Sequence, residues 1–327
     1  MMFGHLERRT LILLAIVWIG FGLSVSGFFG EATFASIFGR SVDNGLIAAG
    51  FTVALLSGQI DLSVGSLYAL SGVVFASVEP TAGIAGGFAA ALAVGLVVGL
   101  INGTLIGRFR LDSFVATLGT LMLARGAAFV VSGGKPVNAS NLDASLWLNK
   151  VFFGPISPRV VILIVFIILA HLLVTRTRIG RELVAVGGDK DAATAIGIPV
   201  SRRILTAMIV SSLAASLGGA IAAMSLLAGS PIVGDANLLV VIAAVFLGGA
   251  ALTGGVGSVL ATAVAVVVLS SIATGMELAF IQKAWQSVVT GVIIIVASAP
   301  LLRDQAKALV EQVRTRIGSR ELAEVEG

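Results

Sequence analysis

The sequence predicts an all-α, polytopic membrane protein of about ten transmembrane helices, some short or broken, with one compact helix outside the membrane. Three observations lead there. Hydrophobic residues make up 57% of the 327 and charged residues 12%, with a mean hydropathy of +1.06; a soluble domain of this size cannot hide that much apolar surface. The apolar residues fall into runs of membrane-spanning length separated by short polar stretches. The 40 glycines suit helices whose backbones approach closely in a bilayer. With no cysteine and only His5 and His171, disulfides, thiolate metal sites and histidine-rich metal sites are excluded. The net charge of +4 is not read as a nucleic-acid footprint, because basic residues in a membrane protein report orientation.

The elements follow in chain order. Met1 to Thr10 is short and basic, and Leu11 to Phe29 is the first span, retained rather than cleaved because its apolar run is long and lacks a clear small-x-small site. A short segment with Glu31 and Arg40 follows. Val42 to Val78 is apolar except around Gly58-Gln59-Ile60-Asp61. As one helix it would be roughly 55 Å long against a bilayer core of about 30 Å. It therefore reads as two spans broken at SGQIDLSVGS, with Asp61 or Ser63 capping the second. A carboxylate at that depth is costly, so Asp61 is also a candidate for the transport path, with Ser63 beside it. Glu79-Pro80 closes the next turn.

The fourth span, Thr81 to Gly107, carries a ladder of small residues at every fourth position: Gly83, Gly87, Ala91, Gly95, Gly99, Gly103 and Gly107. A stride of four drifts by about 40° per step on a 3.6-residue helix, so the ladder winds and admits more than one close neighbour. Asn102 beside it suits a bond between helices. Asp112 to Val131 is the fifth span, in which Thr117, Thr120 and Arg125 interrupt the apolar character. Thr117 and Arg125 are further path candidates; Arg125 also lies where it can snorkel toward the headgroups. Gly133-Gly134-Lys135-Pro136 is no phosphate loop, since it lacks the required frame. The largest polar and aromatic loop extends to Arg159, and Val160 to Val174 is the sixth span.

Arg176 to Arg203 is the longest polar stretch between two strongly apolar ones. Its middle reads as one short helix. Asp189 or Asp191 caps it, Ala192, Ala193 and Ala195 favour it, Gly197 supplies a left-handed stop and Pro199 prevents resumption. Gly187-Gly188 reads as a flexible turn leading in. Methyl-sized Ala192 and Ala193 would permit close approach of a partner groove, which makes this a docking helix. The seventh span is Ile204 to Ala228, the eighth Asn237 to Leu252; after a break at GGAALTGGVGS the ninth is Val259 to Thr274. Met276 to Gln282 is a turn, Ala284 to Leu301 the tenth span, and 303–327 a charged, amphipathic tail, leaving 1–302 as one transmembrane domain. Ser63-Val64-Gly65-Ser66-Leu67 is echoed by Gly255-Val256-Gly257-Ser258-Val259, a hint of an internal repeat.

With this topology fifteen basic residues, those of the docking stretch and tail among them, fall on one side of the membrane and five on the other: Arg40, Lys135, Lys150, Arg159 and Lys283. The positive-inside rule puts the first side, with both termini, in the cytoplasm.

Four segments together carry a resemblance: GQIDLSVGS, DSFVATLGTLMLARGAAFVVSGGKP, GRELVAVGGDKDAATAIGI and FLGGAALTGGVGSVLAT. In this order, over nearly the whole chain, they resemble the permease subunit of bacterial ABC importers for ribose and related sugars. The resemblance implies an inner-membrane subunit that is no enzyme and holds no cofactor of its own. It implies a cytoplasmic ATPase that binds ATP, a periplasmic solute-binding protein and a second permease chain, in a lipid bilayer and without nucleic acid. The stretch from Gly187 to Ile198 would be its coupling helix, with Arg181, Gly187, Gly188, Asp189, Ala192, Ala193, Gly197 and Ile198 as coupling residues. The residues themselves agree on one point: the chain has no nucleotide-binding motif, so ATP-driven work must come from a partner. An ion-coupled secondary transporter of a small polar solute is the alternative, but it calls for several midplane carboxylates or histidines, and only Asp61 stands out. An intramembrane enzyme calls for a nucleophile and base or paired acids, and no such set is evident.

Overall fold

The computed structural model describes residues 2–293, 295 and 296. The tail from Arg303 and the end of the expected tenth span lie outside them; 283–293 are helical. The described chain is helical apart from one two-stranded pairing. Five of its helices are long and apolar enough to cross a membrane.

Helix α1 (Met2–Ser24) begins before the expected first span, and the chain turns at Gly27, φ +81°. Helix α2 (Glu31–Leu56) then absorbs the segment expected as a connector. No breaker follows Gly30, and Glu31 places an acid in the first turn, where the helix dipole favours it. Arg40 pairs with Glu277 across the bundle.

The break at SGQIDLSVGS falls where length demanded it, between Leu56 and Val64. Helix α3 (Val64–Gly107) is 44 residues long, but it is two helices joined at Gly83, φ 71° and ψ 177°. The turn expected at Glu79-Pro80 is therefore displaced. Proline at 80 removes a donor yet keeps a helical φ, so reversal waits for glycine, the residue that adopts that φ/ψ pair readily. Buried Glu79 instead accepts hydrogen bonds from the Ser140 backbone and hydroxyl at 2.7 and 3.0 Å.

Helix α4 (Ser113–Ser132) is capped by Asp112, and β1 (Val137–Asn138) and helix α5 (Leu142–Asn149) lie in the large loop. Helix α6 (Pro158–Arg176) is the sixth span. The docking stretch holds two helices where one was expected, α7 (Arg178–Gly188) and α8 (Lys190–Ala195). Helix α9 (Val200–Leu226) ends at Leu227 in the left-handed region, and β2 (Ala228–Gly229) pairs antiparallel with β1. Helix α10 (Gly234–Leu247) has 14 residues, about 21 Å, less than the roughly 30 Å of a bilayer core. Helix α11 (Val259–Leu278) runs past the expected turn at Met276, and the chain turns at Phe280, φ +55°.

The centre of the bundle is α3 against α9, with α2 packed on α9 and α11, and α4 on α3. The small-residue ladder makes this possible. A β-carbon added at Gly95, Gly99, Gly103 or Gly107 would meet α9 at Ser216, Ile209, Leu205 or Ser201 within 2.8 Å, whereas one at Gly87 would meet Phe75 of α3's own first half. Most of the ladder thus serves one neighbour, because an i+4 row is an inclined ridge and a helix crossing at that inclination stays on it. The sequence echo does not mark equivalent places. It aligns Leu67, one turn into α3, with Val259, the first residue of α11.

Candidate functional site

The break between α2 and α3 is a polar knot in an apolar bundle. Backbone donors of Ser57, Gly58 and Gln59 are satisfied by the last turn of α2. Ile60 is held from both sides by α4: its N–H donates to Ser113 Oγ at 3.2 Å, and its carbonyl accepts from Thr117 Oγ1 at 3.1 Å. Asp61 Oδ1 accepts from the Ser63 backbone at 3.1 Å and from its hydroxyl at 2.5 Å, and Asn102 Nδ2 donates to Ser63 Oγ at 3.0 Å. Asp61 therefore braces a turn through Ser63 and does not cap the first turn of α3; Ser63 occupies the N-cap position without a side-chain cap bond.

Of the four path candidates read from the sequence, Asp61, Ser63 and Thr117 are brought together here, all fully buried. Arg125 is not in the knot. It is half-buried, two turns further along α4 and engaged in an interaction of its own. Asp61 Oδ2, Asn102 Oδ1, Ser211 Oγ and Ser212 Oγ are buried without hydrogen-bond partners among the described residues. Asp61→Asn keeps an acceptor for both Ser63 bonds and adds donors beside the orphaned groups, so the chain is expected to fold and melt near wild type. Asp61→Ala loses the brace and should cost about 1–2 kcal/mol. Thermal unfolding of the two variants in detergent checks the pair, and equal melting would remove the brace.

Three backbones cross beside this knot. Gly255 N–H donates to the Leu56 carbonyl at 3.1 Å, joining the second break (248–258) to the first. A β-carbon on Gly187 would lie 2.0 Å from the Leu56 oxygen and 2.6 Å from Gly255 N; one on Gly254 would lie 2.5 Å from Gly58 Cα. Gly187 is thus no flexible turn. It is a helical residue whose missing side chain lets α7 touch both breaks. Gly188, with open space where its side chain would be, is unlike it. The start of α1 covers the second break from the other side, where Glu7 accepts from Ser258 Oγ at 2.9 Å.

α7 is anchored by charge. Glu182 accepts from Arg178 at 2.6 Å and from Arg203 of α9 at 2.5 Å. Those two bonds hold its carboxyl below the usual carboxylate range. α8 follows directly: Asp189 caps it, accepting from the backbones of Asp191 and Ala192 at 2.9 Å, and Gly197 at φ +81° ends it.

The coupling residues read from the sequence divide by exposure. Arg181, Gly188, Asp189, Ala192 and Gly197 are exposed and Ile198 is half-buried. Gly187 and Ala193 are buried. Ala193, 2% exposed, packs among Ala54, Ile106, Val186, Ile204 and Met208, which makes it an anchor and not a contact surface. Ile196, which sequence reasoning passed over, is 76% exposed at the end of α8.

A family model described as the permease component of branched-chain amino acid transport systems matches residues 33–298. The chain belongs to this permease family. The permease is 36% identical over 272 residues to the ribose import permease protein of Bacillus subtilis (strain 168), covering 81% of this chain and 82% of that one. It is 33% identical over 304 residues to the L-arabinose transport system permease protein of Escherichia coli (strain K12), covering 90% of each. It is 35% identical over 297 residues to the D-allose transport system permease protein of the same strain, covering 89% of this chain and 90% of that one. No solved structure matches.

A cavity of about 450 Å³ beside α5 is lined by Ile84, Phe88, Ala144, Trp147, Leu148, Ile162 and Met224 with Asn141. One carboxamide in an apolar wall is a poor host for a polar solute. The polar groups of the permease lie elsewhere, in the knot and at mid-bundle.

Proposed function

We propose that the permease is the transmembrane subunit of an ATP-driven importer that passes a sugar or sugar-like solute from a periplasmic binding protein to the cytoplasm. The ribose, arabinose and allose permeases that the chain resembles support the cargo. In this reading the permease crosses the inner membrane about ten times with both termini inside. A second permease chain completes the pore, and a cytoplasmic ATPase grips α8. The observation that carries the coupling role is the backbone crossing at Gly187. The helix pair that would meet the ATPase touches both interrupted spans directly, so a push on α8 is passed to Gly58 and Gly254 through backbone rather than through rotatable side chains.

Orientation is the cheapest part to test, because the chain has no cysteine. A thiol at exposed Asn141 is expected to label from outside intact cells with a membrane-impermeant reagent, and one at exposed Lys190 only after lysis. The reverse pattern would place α8 on the wrong side for an ATPase and end the proposal.

A further inference from the structure

Asp43 and Asn44 interrupt a sealed stretch of α2. From Ser41 to Leu56 every residue except these two is buried. They stand twelve and thirteen residues from Glu31 and about as far from Leu56, close to 20 Å of helix either way, so they lie at its middle. Both are only partly buried there, a carboxylate and a carboxamide that keep some accessible surface. Asn44 Oδ1 is buried without a partner among the described residues. Asp43 forms no ion pair among the described residues, and Arg159 and Arg40 act on it from a distance.

Three more groups face the same place from other helices. Tyr68 of α3 packs its ring over Gly218, where an added β-carbon would be 3.5 Å away. The same position lies 3.6 Å from Leu46 of α2, three residues from Asp43, and the phenol is within electrostatic reach of Asn237 of α10, Asp43 and Arg159. Arg159 of α6 lies against Gly39, one turn from Asp43, and donates to Ser225 Oγ at 3.1 Å, while its Nε is buried without a partner among the described residues. A purely structural ion-pair network saturates its donors and acceptors, since unpaired buried groups are costly. Among the described residues this set leaves an amide oxygen and a guanidinium N–H unused, and Asp43 without an ion pair.

We propose that Asp43, Asn44, Tyr68, Arg159 and Asn237 form a hydroxyl-binding station between α2, α3, α6 and α10 for a polyhydroxy solute. The cargo rests on the sugar reading above; the station itself rests on the residues. A carboxylate accepts from hydroxyl hydrogens, and the guanidinium and amides donate to hydroxyl or ring oxygens. The phenol does either, and its ring supplies an apolar face. Groups of both kinds on four helices suit a solute in which every hydroxyl both gives and takes a hydrogen bond.

The test has two arms. In proteoliposomes containing the permease with its co-purified ATPase, Asn44→Cys is expected to react with a small charged methanethiosulfonate. Ala48→Cys, one turn away on the same helix and fully buried, is expected not to. In the second arm the wild-type complex is offered D-ribose, L-arabinose and D-allose with loaded binding protein. Asp43→Asn and the isosteric Tyr68→Phe are each expected to lower the solute moved per ATP hydrolysed, by roughly tenfold for the charged group and less for the phenol. An unreactive Asn44→Cys overturns the station whatever the cargo. So does a wild-type ratio in both Asp43→Asn and Tyr68→Phe. A wild-type complex that moves none of the three sugars counts against the sugar reading, and thiol reactivity then decides the station by itself.

Discussion

Gly187→Ala is expected to leave little folded permease in the membrane, while its neighbour Gly188→Ala is tolerated. The methyl at 187 would sit 2.0 Å from one backbone atom and 2.6 Å from another. No rotamer change relieves a clash with backbone, so one of three crossing chains must move, and the Gly255–Leu56 hydrogen bond goes with it. Overpacking costs about 1–3 kcal/mol and a broken buried bond about another 1–3. The total, roughly 2–6 kcal/mol, is a large share of the 5–15 kcal/mol that holds a typical domain together. At Gly188 an added β-carbon meets nothing within 4 Å, and alanine in a helix gains up to about 1 kcal/mol over glycine. Membrane accumulation and monodispersity in detergent are the readouts. Equal behaviour of the two variants would mean that the crossing is loose, and the transmission route from α8 to the two breaks would lose its physical basis.

That pair also marks where the sequence stopped being readable. Length alone forces a break between Leu56 and Val64, because no bilayer accommodates the uninterrupted helix. The cap at Asp189 and the stop at Gly197 are local chemistry, legible from a few residues. Gly187-Gly188 is not legible in that way. A glycine that bends freely and one that admits a neighbouring backbone are the same letter, and only the three-chain crossing separates them. The same limit applies to Ala193 beside Ala192. A helix of six residues has too few positions to show which face is apolar, so the burial of one and exposure of the other follow from Ile106 and Met208, contributed by distant segments. Glu31 to Ser41 looked like a connector because its charges dilute the apolar run, yet Arg40 finds its counter-ion on α11. Asp43 and Asn44 were hidden for a related reason. They are absorbed into the apolar run from Val42 to Val78, and their setting appears only when Tyr68, Arg159 and Asn237 arrive from three other helices.

Ile196→Glu is expected to fold and insert normally but to lose the ATPase, whereas Ala193→Glu is expected not to accumulate. Ile196 presents 76% of its surface to solvent, next to exposed Ala192 and Gly197. A carboxylate there enters water and disturbs no packing. If a partner groove covers the residue in the assembled importer, its burial contributes about 1.5–3 kcal/mol of binding, and removing it weakens the complex by roughly 10- to 100-fold before any repulsion is added. Ala193 lies three residues earlier, just under one turn away, and differs entirely in environment. Glutamate at 193 would drive an unpaired carboxylate into the cluster of Ala54, Ile106, Val186, Ile204 and Met208, at a cost of several kcal/mol. The two variants therefore separate docking from folding on one short helix. Membrane content, ATPase retained on pull-down and solute uptake are measured on the same preparations. Full retention of ATPase and uptake by Ile196→Glu would mean that the partner does not cover this end of α8. The coupling surface would then have to be sought on Arg181 and the exposed face of α7.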